Sequence, residues 1–196
     1  MAPFKMVIET RQFVVLDLFI KNSRVFELGR FMLKDLMEEF DDKGLSALAK
    51  ACTGGNTETL IYLLKHGADI FQPDKHGMSP LIYACLNGNE KNVHLLLEKV
   101  IDVNSKEVFN SCRGYLNKAD NNGYTPLTAA ATHGHVPLIE SLITNGADVD
   151  KLDGLGKSPI MYACERGDFL TVKALVSNGA SMTIVTDRAC SPFILA

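Results

Sequence analysis

The chain has no apolar run long enough to cross a bilayer. The longest, Phe13 to Ile20, is interrupted by Asp17 and falls far short of the ~20 residues a spanning helix needs. No membrane insertion is expected. Nor does the start resemble a signal peptide, because Glu9 and Arg11 break the apolar stretch and no small-residue cleavage site follows. Basic excess is missing too: 20 Lys and Arg stand against 23 Asp and Glu, and no long basic run appears. That argues against a general nucleic-acid binder. A cytoplasmic location, with a nuclear one admitted, is the expectation.

Catalytic equipment is equally scarce. His66, His76 and His94 are isolated, and no Ser/His/Asp or Cys/His nucleophile set stands out. Every glycine is explained by a turn or a helix end, so none is left over for a phosphate-binding loop. The expectation is a chain that is not an enzyme and has no cofactor and no metal site.

What the sequence does have is a repeated unit. In DNNGYTPLTAAATHGHVPLIESLITNGADVD, from Asp120 to Asp150, Thr125 is placed to cap a helix and Pro126 to occupy its first position, where a missing N–H costs nothing. Small Ala129, Ala130 and Ala131 lead to Gly134. A second helix then carries Leu138, Ile139, Leu142 and Ile143 at helical spacing, up to a left-handed stop at Gly146. The start recurs as Ser79-Pro80, Ser158-Pro159 and Ser191-Pro192, with Ser46-Ala47 keeping only the cap. The glycine before each start recurs too: Gly44 to Gly77, Gly123 to Gly156 and Gly156 to Ala189 are each 33 positions, while Gly77 to Gly123 is 46.

The line TPLTAAATHGH…LIESLITNGADVD resembles the ankyrin repeat, with its motif TPLHxAAxxGHxxIVxLLLxxGADVN and its period of about 33 residues. The resemblance implies an all-α repeat solenoid of stacked helix-turn-helix units joined by finger loops. Residues 1–40 lack the motif and read as a degenerate helical N-terminal cap, or else as a separate partner-binding helix. The repeats follow as 41–72, 73–119, 120–152 and 153–185, with an incomplete copy at 186–196. That unfinished copy leads us to expect further repeats in the native protein.

Three departures from the pattern are visible. Val100-Ile101 replace the usual Gly-Ala stop of repeat two, and an insertion of about 13 residues follows, at about 105–117. Its position is ambiguous, since Asp102-Val103-Asn104 and Leu116-Asn117-Lys118 both match the motif's end. It is expected to loop out of the stack, as a partner contact or as a plain surface loop. Repeat four carries two finger glycines, Gly154 and Gly156, which points to a more mobile finger. Cys52, Cys85 and Cys164 share the slot that Ala131 fills and read as core residues, with stacked helices too far apart for disulfides. Cys112 and Cys190 read as the exposed pair.

The histidine of the GH motif, here His135, ties down a neighbouring turn, which accounts for one member of the His133/His135 pair without a metal. Recurrent Asp42, Asp74, Asp120 and Asp153 read as turn formers at the fingers. Ankyrin proteins bind protein partners on the concave surface of finger tips and first helices, and the resemblance places that surface on particular positions. On the fingers these are Lys43, Leu45, Lys75, His76, Met78, Asn121, Asn122, Tyr124, Leu155 and Lys157, with Arg188 continuing the row. At the ends of the first helices they are Leu86, Asn87, Thr132, His133, Glu165 and Arg166. The expected role is a scaffold or adaptor for a protein, monomeric by preference, with the groove centred on repeats two and three and apolar Met78, Leu86, Tyr124 and Leu155 as anchors. The rival is the recognition arm of a longer protein, such as an enzyme, a ubiquitin-ligase receptor, a channel or a bacterial effector, whose activity lies beyond Ala196.

Overall fold

The start signals at Ser46, Ser79, Thr125 and Ser158 each open a helix. The computed structural model describes Phe40, residues 44–103 and residues 108–183, with the backbone alone at 101–103 and 108–111. The expected cap, Lys43, Arg188, Cys190 and the incomplete fifth copy lie outside these residues. Among the described residues there are four first helices, α1 (Ala47–Thr53), α3 (Pro80–Leu86), α6 (Pro126–His133) and α8 (Pro159–Glu165). Ser46, Ser79 and Thr125 cap three of them, their hydroxyl oxygens accepting the N–H groups of Ala49, Ile82 and Thr128 at 3.2, 3.3 and 3.1 Å.

Each first helix turns into a second: α2 (Thr57–Lys65), α4 (Glu90–Val103), α7 (Val136–Thr144) and α9 (Phe169–Ser177). Asn56, Asn89 and Asp168 cap α2, α4 and α9. The Thr171 N–H holds the Asp168 carboxyl below its usual range. Gly67, Gly146 and Gly179 follow the ends of α2, α7 and α9 at φ 85°, 102° and 90°, a conformation that favours glycine. Where repeat two has Val100-Ile101 instead, the helix runs on: α4 has 14 residues against nine in α2, α7 and α9.

First helices stack on first helices and second on second, so the core is a slab between two helical layers. Ala49, Ala84, Ala129, Ala130, Ala131 and Ala163 let the first helices approach, while Leu60, Leu96, Ile139, Leu142 and Leu175 fill the space from the second. Cys52, Cys85 and Cys164 are buried in this slab, as their shared slot implied, and Cys112 is half-buried.

The insertion overturns one expectation. Rather than looping out, it folds as α5 (Val108–Leu116), packed against α4. Tyr115 and Leu116 are fully buried, the Tyr115 hydroxyl donates to the Ile70 carbonyl at 3.0 Å, and its ring meets Phe71 edge-on at 5.2 Å. A helix with two large side chains to bury has a reason to fold back. Asn117 also settles the register: its Oδ1 accepts the Asp148 N–H at 2.7 Å, the place that Asp150 takes one repeat later.

Candidate functional site

The fingers of repeats two, three and four are built around Asp74, Asp120 and Asp153. Asp74 Oδ1 accepts the N–H groups of His76 and Met78 at 2.8 and 2.9 Å, Asp120 those of Asn122 and Tyr124, and Asp153 those of Leu155 and Lys157. Three carboxylates spent on backbone N–H groups shape turns rather than carry out acid-base chemistry. Neighbouring fingers are tied together as well, Asn121 N–H to the His76 carbonyl at 3.0 Å and Gly154 N–H to the Asn122 carbonyl at 2.6 Å. A Cβ at Gly154 would stand 2.8 Å from the Asn122 oxygen, so the second glycine of finger four serves the close contact between neighbouring fingers.

Two tyrosines lock fingers to helices. Tyr83 on α3 donates its hydroxyl to Asp74 Oδ2 at 2.6 Å, and Tyr162 on α8 does the same to Asp153 Oδ2 at 2.5 Å. Burial, then the Asp153 carboxylate that takes its proton in a hydrogen bond, raises the Tyr162 hydroxyl well above the usual tyrosine range. In repeat three Ala129 holds that helical place, and the tyrosine comes from the finger instead. Tyr124 donates to Thr132 Oγ1, which in turn donates to the Thr128 carbonyl. Burial raises the Tyr124 hydroxyl too.

These pieces meet between repeats three and four. Tyr124 and Tyr162 pack edge to face with ring centroids 5.8 Å apart, Lys157 Nζ lies 5.2 Å from the Tyr162 ring centre, and Lys157 pairs with Glu165 at 2.6 Å. Arg166 Nη1 reaches back to the Thr132 carbonyl at 2.7 Å. The contact belongs to a ladder in which each repeat satisfies a carbonyl at the inter-helix turn of the one before: Asn89 Nδ2 to Gly55 at 3.0 Å and His135 Nε2 to Leu86 at 3.2 Å are the other rungs. His135 thus ties a neighbouring turn. The His133 and His135 rings stack at 6.0 Å, and among the described residues no three His, Cys, Asp or Glu side chains gather as a metal site.

Of the seventeen positions that the resemblance places on a recognition surface, Lys43 and Arg188 lie outside the described residues. Lys75, His76, Asn87, Asn121, Asn122, His133, Leu155, Glu165 and Arg166 are exposed, and Leu45, Met78, Leu86, Tyr124, Thr132 and Lys157 are half-buried. The four expected apolar anchors therefore divide: Leu155 is 68 % exposed, while Met78, Leu86 and Tyr124 pack in part against the core. A half-buried ring needs little further desolvation and is already held in place. Tyr83 and Tyr162 were missed by sequence reasoning. The available signal was a tyrosine four places after the serine of the start signal in two copies, Ser79 to Tyr83 and Ser158 to Tyr162. Among the described residues no helix is long and apolar enough to cross a membrane.

Comparison with known proteins agrees with this geometry. No curated protein matches the chain. A family model for ankyrin repeats, in three copies, matches residues 18–107 and again residues 108–186, together most of the sequence. Such domains are in general non-catalytic and bind other proteins. All helices and no strands among the described residues, a recurring 33-residue unit and the family match agree, and the chain belongs to the ankyrin repeat family.

Proposed function

We propose that this chain is a protein-recognition module, a scaffold or adaptor that seats a segment of a protein partner on the face formed by its fingers and first helices. The observation that carries the reading is the Tyr124–Tyr162 pair, half-buried and edge to face, with Lys157, Glu165 and Arg166 around it. Aromatic side chains fixed in place and ringed by polar groups are the kind that dominate binding energy at interfaces. This moves the centre of the groove from repeats two and three to repeats three and four. The buried thiols of Cys52, Cys85 and Cys164 support a reducing compartment, the cytoplasm or the nucleus.

The test is affinity capture from cell extract with the parent beside two variants: Met78/Tyr124/Leu155→Ala, and Tyr124/Tyr162→Ala. A protein held by the parent and lost by both, with circular dichroism showing each variant folded, is the expected result. If both variants capture what the parent captures, the inner face is not the recognition surface.

A further inference from the structure

On the inner face Asp74, Asp120 and Asp153 spend carboxylate oxygens on hydrogen bonds within the fold, while two exposed cations stay unpaired among the described residues. Asp74 is 5 % exposed, with Oδ1 taken by two N–H groups and Oδ2 by Tyr83; both oxygens of Asp153 are taken in the same way. Glu165 is held by Lys157. Exposed Lys75, on the finger of repeat two, and exposed Arg166, at the inter-helix turn of repeat four, have no ion-pair partner among the described residues. Arg166 spends one N–H on the Thr132 carbonyl, and a guanidinium has five. The chain as a whole is acidic, at −3, so these cations are a local feature.

Their spacing follows from the stack. Two repeats at ~10 Å each separate them along it, and a seven-residue first helix at ~1.5 Å per residue adds ~10 Å across. The diagonal is about 22 Å, which an extended chain covers in about seven residues. Tyr124 and Tyr162 lie between the two ends. Resting on the reading of this face as the recognition surface, we propose that the partner segment is an extended acidic peptide. Two carboxylates about seven residues apart meet Lys75 and Arg166, and an apolar side chain between them rests on the Tyr124–Tyr162 pair.

A random twelve-residue peptide library displayed on phage, selected against the intact chain, tests this. The expected consensus has two acidic positions about seven residues apart with an apolar residue between them. A synthetic peptide of that consensus should bind Arg166→Gln about tenfold more weakly, since the fork takes a carboxylate in two hydrogen bonds, and Lys75→Gln about threefold more weakly. Raising salt from about 50 mM to about 500 mM should weaken the parent's binding as well. Melting temperatures equal to the parent's show that the variants are folded. Selected peptides without the paired acids, or with equal affinity for the glutamine variants, overturn the acidic-peptide inference. In that case loss of binding in Tyr124→Ala still leaves the inner face as the recognition surface, whereas retention removes both. Failure to enrich any sequence over a blank support also overturns the inference.

Discussion

Asn117 and Asp150, one repeat apart, hold the same hydrogen bond: each accepts a backbone N–H from the residue 31 positions further on, Asp148 at 2.7 Å and Ser181 at 2.9 Å. The shared bond puts the extra residues of the insertion before Asn117. Asn117 Nδ2 also donates to the carbonyls of Arg113 and Gly146.

Asn117→Ala should therefore cost about 1–2 kcal/mol of unfolding free energy, because two bonds across a repeat boundary and one within the helix end are lost together. Urea denaturation measures it. Asn117→Asp keeps the accepted Asp148 N–H and should lose less.

Tyr115 tests whether the insertion is part of the stack. Its ring is buried against Phe71 and its hydroxyl serves the Ile70 carbonyl. Tyr115→Ala should cost about 3–5 kcal/mol, in the range of aromatic truncation in a packed core, and Tyr115→Phe about 1–3 kcal/mol for the stranded carbonyl. A dangling loop would give neither loss in thermal or urea unfolding.

Asn92 on α4 is fully buried, and its side-chain amide finds no hydrogen-bond partner among the described residues. Leu138 occupies the same place in repeat three and is buried there. Asn92→Leu should raise stability by about 1 kcal/mol, the desolvation cost of the amide outweighing a small volume mismatch. An unchanged or lowered urea midpoint would contradict this.

Alkali should unfold the chain through its core thiols. Burial pushes Cys52 up to about 12 and raises Cys85 further. A raised folded value means stability that is fully present below the unfolded thiol range, near pH 8.5, and is lost as pH rises from there towards 12. The melting temperature should fall over that window. In Cys52→Ala/Cys85→Ala, which takes the residue repeat three has as Ala131, the fall should be shallower.

The local signals were legible in the sequence because they act within one repeat. Ser79-Pro80 and Thr125-Pro126 start helices through a cap and a fixed φ, and Gly146 ends one, all within a few residues. Even Val100-Ile101 correctly marked a helix that does not stop. The fold of the insertion was not legible, because what holds it is Ile70, 45 residues from Tyr115. The candidate site was half legible: its fingers and turns follow the family pattern, but the Tyr124–Tyr162 contact depends on two repeats placing different tyrosines face to edge. Leu155 alone kept the exposure that its motif position implied for the four apolar anchors.

Hydrogen–deuterium exchange of the chain with and without its captured partner would locate the recognition surface directly. Slowed exchange is expected at the finger amides of His76, Met78, Asn122, Tyr124, Leu155 and Lys157 and at the turns that follow α3, α6 and α8, with α4, α7 and α9 unchanged. Protection confined to those second helices, with the fingers exchanging as in the free chain, would show that the partner binds the opposite face.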